Sequence, residues 1–367
     1  MKNKPTVISV VGARPQFIKV RPIDRALRVT MRHLIIHTGQ HYDDRMSGVF
    51  FKQLNIPKPL INLNIGSGSH GQQTGNMLIA LERVFLKLSP DLIIVYGDTN
   101  STLAAALAAT KLHIPVAHIE AGMRSYNRLM PEEINRVLTD HLSELHFCAS
   151  RQAVTNLKNE GITKGVYFVG DVMFDVLRRY IPFARKNSTI IHRLGIEKGK
   201  YFLSTIHRAG NTDQVAYLEQ ILRGLKTSTL PVILPAHPRL IKTLRNKKLR
   251  SLIRFPLIVI PPADYLDMLC LEDSAKAILT DSGGVQKEAY FLGKPCITLR
   301  LETEWVETVS SGWNRLTGHS ASKIQLALRR PPRGSYRRLV YGRGYAAETI
   351  VRHIHTFLLK IRRQTSK

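Results

Sequence analysis

The sequence predicts an α/β protein built from two doubly wound, Rossmann-like domains. Its 367 residues exceed what one ordinary core accommodates and suit two domains of similar size. Short apolar runs repeatedly end in a polar or glycine-bearing turn and pass into a helical pattern, the signature of βα units. That rhythm breaks across a Lys/Arg-rich segment from Arg178 to Lys200 and restarts at Tyr201, which predicts the connection between domains.

Thr6 to Val11 is the first strand and ends in Gly12-Ala13-Arg14-Pro15, after which Ile23, Ala26 and Leu27 continue a helical stripe. The turn lacks a Gly-x-Gly-x-x-Gly fingerprint, which argues against a nicotinamide cofactor. Arg14 and Lys19 flank it at the carboxyl edge of the sheet, where ligands of such folds bind. His33 to Thr38 gives a second strand, and Thr74 to Leu88 a helix with Met77, Leu81 and Phe85 on its apolar face. Asp91 to Tyr96 is a strand that delivers Gly97-Asp98-Thr99, and Pro115 to Ile119 delivers Glu120 in the same way. Met130-Pro131-Glu132-Glu133 opens a helix, with proline near its first position and acids in its first turn. Asp98, Glu120 and Glu132 therefore converge on one edge. A single such acid reads as a cap; three read as acid/base machinery.

Strands at Leu145 to Cys148 and Val166 to Val169 complete the first domain, predicted over residues 1–177. In the second, predicted over 178–345, Tyr201 to Ile206 ends in His207, whose position beside a helix amino end predicts a ring held neutral by the helix dipole. Ala275 to Leu279 is a buried strand that leads into Thr280-Asp281-Ser282-Gly283-Gly284-Val285-Gln286-Lys287-Glu288. Bare backbone N–H groups, a hydroxyl and a helix amino end make that turn a ready anion site. Glu288 sits about one turn further on, where a carboxylate can accept the hydroxyls of a ribose. Lys294 to Leu299 brings Arg300 to the same edge. A last helix, within residues 346–367, is expected to pack back across the domain boundary. Polar groups at strand ends in both halves predict a cleft between the domains.

Composition narrows the function. No stretch reaches the roughly 18 apolar residues of a membrane span, and the start runs into a strand rather than a signal sequence, so a cytoplasmic protein is expected. Cys148, Cys270 and Cys296 lie far apart inside apolar elements, which predicts buried thiols and no metal site. The net charge is +27, from 54 Lys and Arg against 27 Asp and Glu. A basic amphipathic helix is predicted across Arg239 to Arg254. Without aromatic interleaving or a recognition-helix pattern, this charge predicts no nucleic-acid binding and at most weak association with anionic surfaces.

Several motifs together resemble the non-hydrolysing UDP-N-acetylglucosamine 2-epimerase family over nearly the whole chain. They are Gly12-Ala13-Arg14-Pro15, His37-Thr38-Gly39-Gln40-His41, Gly97-Asp98-Thr99, His118-Ile119-Glu120-Ala121-Gly122, Pro131-Glu132-Glu133-Ile134-Asn135-Arg136, His207-Arg208 and Thr280 to Glu288. The resemblance implies a GT-B-like fold, a homodimer, no cofactor, and epimerisation of a UDP-sugar for surface polysaccharide precursors. It implies that Asp98, Glu120, Glu132 and His207 are catalytic, and that Arg14, Lys19, His207, Ser282, Gly283, Gly284, Glu288 and Arg300 hold the UDP-sugar. Which carboxylate removes the C2 proton and which returns it stays open. Two positions depart from the family pattern: Gly210 stands where it has Glu after His-Arg-x, and Arg343 where it has Asp in Tyr-Gly-Asp-Gly. Gly12 to Lys19, Phe50 to Leu54 and Glu302 to Glu307 are more similar to the branch acting on UDP-2,3-diacetamido-2,3-dideoxyglucuronate, for whose extra carboxylate Arg124, Arg128 and Trp305 are candidate partners. The rival class is a retaining GT-B glycosyltransferase, which needs an acceptor surface and no C2 base.

Overall fold

A computed structural model describes residues 4–40, 58–335 and 340–365. His41 and the Phe50 to Leu54 motif lie outside the described residues. The chain divides into two compact units, Met1–Val176 with Leu339–Lys367, and Leu177–Arg338.

Unit 1 is a seven-stranded parallel sheet in the order β3-β2-β1-β4-β5-β6-β7. Its strands are β1 (Thr6–Val11), β2 (Arg32–His37), β3 (Ile61–Asn62), β4 (Leu92–Tyr96), β5 (Val116–Ile119), β6 (Leu145–Cys148) and β7 (Val166–Phe168). Strand order reverses between β1 and β4, the switch point where such sheets bind ligands beyond their carboxyl ends. Ile8, Val10, Ile93 and Val95 pack on one face against Met77, Leu81 and Phe85 of the helix His70–Leu88. Between them runs the helix Asn100–Lys111, whose Ala104, Ala105, Ala106, Ala108 and Ala109 keep its backbone close to its neighbours.

β1 also carries a buried polar side chain, Ser9. Its Oγ meets Tyr96 at 2.8 Å and His33 Nε2 at 2.8 Å, and His33 Nδ1 meets Asp24 Oδ1 at 2.7 Å. Burial pushes the His33 imidazole below its ordinary range. Burial alone would raise Asp24, but His33 and Arg28 hold it low. The chain of polar groups is closed off from solvent, so it braces β1, β4 and the helix Arg14–Leu27.

Unit 2 is a six-stranded parallel sheet in the order β10-β9-β8-β11-β12-β13. Its strands are β8 (Phe202–Thr205), β9 (Val232–Pro235), β10 (Leu257–Ile260), β11 (Ala277–Thr280), β12 (Cys296–Thr298) and β13 (Asn314–Leu316). Alternation along β11 serves both faces: Ala277 and Leu279 join one core with Phe202 and Val232, and Ile278 joins the other with Tyr201 and Leu203. Truncating Leu279 to Ala would cost about 2–5 kcal/mol, because the fully buried site cannot collapse around the cavity. All three cysteines are free and buried, and burial pushes the Cys296 thiol up to about 12.

The segment from Arg178 to Lys200, read as carrying the connection between domains, is helical: the helix Val172–Asn187 runs through its start, despite Pro182, followed by the short helix Ile190–Arg193. Buried Val172, Met173, Val176, Leu177, Ile181 and Ala184 hold that first helix. One local expectation is corrected. The basic stretch forms two short helices, Pro238–Thr243 and Lys247–Arg250, rather than one. Asn246 caps the second by accepting from the Lys248 N–H, which ends the helical path between them. Among the described residues, no helix is long and apolar enough to cross a membrane, and no cluster of His, Cys, Asp and Glu would hold a metal ion.

Candidate active site

In unit 1 the polar groups gather at the ends of β1, β4 and β5. Gly12 must be glycine because a methyl group there would lie 2.1 Å from Ser101 Oγ and 2.2 Å from Thr38 Oγ1. Gln16 locks this turn: its Oε1 accepts from the Gly12 and Ala13 N–H groups, and its Nε2 donates to the Tyr96 carbonyl at 2.7 Å. Arg14 opens the adjoining helix, and its side chain lies outside the described residues. Lys19, one turn on, is buried and ion-paired with Glu120. Glu120 itself has φ of +73°, a left-handed backbone that costs a non-glycine residue about 1 kcal/mol or more. That conformation turns the end of β5 so that the Glu120 carboxylate meets Lys19.

Asp98 follows β4 and pairs with Arg136 of the helix Pro131–Leu142. The surrounding protein raises its carboxyl above the ordinary range; Arg136 pulls the other way and Glu120 adds to the rise. Solvent reaches 35% of the Asp98 side chain, which tempers the shift. Glu132 is exposed but close enough to act on Asp98 electrostatically, so the structure brings the three predicted carboxylates of unit 1 together. Arg136, buried and bonded also to Glu133 at 3.1 Å, was legible only as part of a motif. Asn135, which donates to the Asp98 carbonyl at 3.0 Å, was legible in the same limited way. Below this edge His118 Nδ1 faces Asp140 at 2.7 Å and Nε2 faces the Gly97 carbonyl at 2.8 Å. Arg124 is committed here: it donates to Asp140 at 2.7 Å and grips Glu160 with two bonds of 2.6 Å. It is a brace and not a cation open to a substrate carboxylate.

In unit 2 the organising residue is Asp281, fully buried after β11. It accepts from the His207 N–H at 3.1 Å, the Arg208 N–H at 3.1 Å and Asn211 Nδ2 at 3.1 Å. Three converging donors tie the end of β8 to the end of β11. The His207 ring, 40% exposed, has Nδ1 3.3 Å from the same carboxylate. The helix after it, Ala209–Thr212, is a single turn, too short for an appreciable dipole, so Asp281 and not a dipole is the electrostatic partner of the ring. Ser282 caps the helix Gly283–Phe291 by accepting from the Val285 N–H. Gly283 admits a close neighbour: a methyl group there would lie 2.9 Å from Glu304 Oε1. Arg300 Nη1 bonds to Glu304 Oε2 at 2.9 Å, and Lys287 Nζ lies 3.9 Å over the Trp305 ring. Trp305 is thereby packed inside unit 2, with 5% exposure. Glu288 is buried near Glu272, whose carboxyl is pushed well above its range by burial and by Glu288.

Ser282, Gly283, Gly284, Glu288, Arg300 and His207 thus collect at the carboxyl edge of the second sheet, as the motif positions predict. The donors of Gly283 and Gly284, two arginines and a hydroxyl suit a diphosphate, and Glu288 suits vicinal hydroxyls.

Comparison with known proteins agrees with this chemistry. The family model described as UDP-N-acetylglucosamine 2-epimerase matches residues 25–355. A UDP-N-acetylglucosamine 2-epimerase homolog of Methanococcus maripaludis is 54% identical over 321 residues, 87% of this chain and 90% of that protein. The UDP-2,3-diacetamido-2,3-dideoxy-D-glucuronate 2-epimerase of Pseudomonas aeruginosa is 48% identical over 326 residues, 87% of this chain and 90% of that protein. The crystal structure of Methanocaldococcus jannaschii UDP-GlcNAc 2-epimerase in complex with UDP-GlcNAc and UDP superposes with a TM-score of 0.88 at 44% identity, covering 96% of this chain and 99% of that one. With the fold, the motifs and these relatives in agreement, the chain belongs to the UDP-N-acetylglucosamine 2-epimerase family and is an isomerase.

Proposed function

We propose that this protein inverts C2 of a UDP-2-acetamido sugar by anti elimination and syn re-addition of UDP. A base removes the C2 proton as the C1–O bond to the diphosphate breaks, giving a 2-acetamidoglucal and UDP. A proton then adds to the opposite face of C2 while the C1–O bond re-forms. The observation that carries this reading is the pair of carboxylates in unit 1, each held by its own cation. Asp98 with its raised carboxyl is suited to holding a proton, and Glu120 is held in place by Lys19. Glu132 stands by as the exposed third acid. Unit 2 supplies the nucleotide grip through Ser282, Gly283, Gly284, Glu288, Arg300 and His207, with Arg14 and Lys19 contributing from unit 1; a homodimer is part of the same proposal. The leaving diphosphate is anionic, and fixed donors aimed at it stabilise the charge that develops as C1–O breaks.

Run in heavy water without added cofactor, product and recovered substrate should both carry deuterium at C2. Epimerisation with the original hydrogen retained would exclude elimination.

The Pseudomonas relative favours UDP-2,3-diacetamido-2,3-dideoxyglucuronate as a second candidate substrate. Arg124 does not support it, being saturated by Asp140 and Glu160. Side-by-side kcat/KM values for this sugar and UDP-N-acetylglucosamine decide between them: a preference of about 10²-fold for the uronate is expected if a cation elsewhere reads its carboxylate. Equal or better use of UDP-N-acetylglucosamine returns the chain to the general branch.

A further inference from the structure

The nucleotide grip of unit 2 already contains an anion of the protein's own. The Glu304 carboxylate spans two guanidinium groups, Arg300 Nη1 at 2.9 Å and Arg208 Nη2 at 3.7 Å. Its Oε1 lies beside Gly283, the first residue of the helix Gly283–Phe291, 2.9 Å from where a Cβ on Gly283 would stand. Glu304 and Arg300 side chains are each 9% exposed, so the pair is desolvated, whereas Arg208 at 35% is open to solvent on one side. Two arginines and a helix amino end are the parts from which a diphosphate site is made. A carboxylate is the one protein anion able to satisfy them in the same geometry.

We propose that Glu304 is an internal competitor for the nucleotide's diphosphate, taking up Arg300, Arg208 and the amino end of the helix Gly283–Phe291. This rests on the reading of unit 2 as the UDP-binding unit. Competition sets affinity by difference. Every bond the diphosphate makes to these cations is offset by one that Glu304 gives up, so UDP is held less tightly than the donor set alone would hold it. An elimination mechanism benefits, because the site must hold UDP through the intermediate and yet release the UDP-sugar once the C1–O bond has re-formed, and an internal anion favours that release. The neighbouring acids do not fill this role. Asp281 is enclosed and spent on the backbone N–H groups of His207 and Arg208, and Glu288 lies further along the helix, beyond the donors at its amino end. A mere brace for Arg300 would predict the opposite behaviour, since removing its charge would disorder the guanidinium and weaken binding.

The test is Glu304→Gln, which keeps an oxygen acceptor for Arg300 and removes the charge. Calorimetry with UDP, inorganic pyrophosphate and uridine should show UDP and pyrophosphate binding roughly tenfold tighter than in the parent protein, with uridine unchanged. Affinity for pyrophosphate should also fall more steeply with salt, because one more unneutralised cation faces the ligand. The rise in melting temperature caused by UDP should be larger in the variant, whose Arg300 lacks its buried counter-charge until the diphosphate supplies it. Equal or weaker pyrophosphate binding in a folded Glu304→Gln protein overturns the proposal and leaves UDP binding in unit 2 standing. A parent protein that binds neither UDP nor pyrophosphate overturns that reading itself, and the competitor with it.

Discussion

The two units place their polar groups at the same point of the same fold, yet use them differently. In unit 1 two acids each face a cation, Asp98 with Arg136 and Glu120 with Lys19, and water reaches the rim. The fixed cations hold the carboxylates in place, so it is the carboxyl groups that can take up or release a proton there. In unit 2 Asp281 is sealed and gathers donors from two strand ends, while the guanidinium groups of Arg300 and Arg208 face Glu304. Asp281 is architectural, and the cations are for holding. The switch point of a parallel sheet thus specifies where chemistry happens, and the burial of the acids specifies which chemistry.

The largest effect should come from breaking unit 1. Asp98→Asn or Glu120→Gln should lower kcat by about 10²- to 10⁴-fold, the scale of lost proton transfer, with the dissociation constant for UDP nearly unchanged. Calorimetry beside steady-state rates checks this; UDP binding lost with turnover would erase the division of labour. A smaller but more diffuse effect belongs to Asp281→Ala. It strands three donors at the ends of β8 and β11, so it should cost about 2–3 kcal/mol of stability and abolish UDP binding, read by denaturant unfolding and calorimetry. Intact UDP affinity in that variant would make Asp281 a spectator.

The smallest effect concerns Asp175, which accepts from the Ala346 and Ala347 N–H groups at the start of the helix Ala346–Thr365. Burial pushes its carboxyl up to about 6, overcoming those bonds. Because the folded value lies above the unfolded one, the associated stability is fully present below about pH 4 and is lost as pH rises through 6. Between pH 5 and 7 this amounts to about 1 kcal/mol, and Asp175→Asn should remove that slope from unfolding curves of the parent protein. Superimposable slopes would show that the carboxyl titrates normally.

Most of the architecture was readable because a buried parallel strand is a short apolar run, and its end is marked by whatever polar residue follows. Gly12, Asp98, Glu120, His207 and Ser282 all announced themselves in this way. Their partners did not. Arg136 meets Asp98 across 38 positions and Asp281 meets His207 across 74, and no local period encodes such a pairing. Arg124 shows the converse: a lone arginine near catalytic motifs reads as a ligand for substrate until its two acids are seen. The basic stretch failed as one helix because apolar spacing ignores a cap, and Asn246 provides one in its middle.

The helix Ala346–Thr365 belongs to unit 1 although residues 177–338, all of unit 2, come before it in the chain. On the ribosome, unit 2 is a continuous segment and can close as soon as it emerges. Unit 1 has to wait with its helix Arg14–Leu27 uncovered, together with the ring pair of Tyr167 and His353 unmade, until synthesis has passed residue 346. At roughly 5–20 residues per second that interval lasts on the order of ten to thirty seconds, during which the helix Arg14–Leu27 stays without its cover.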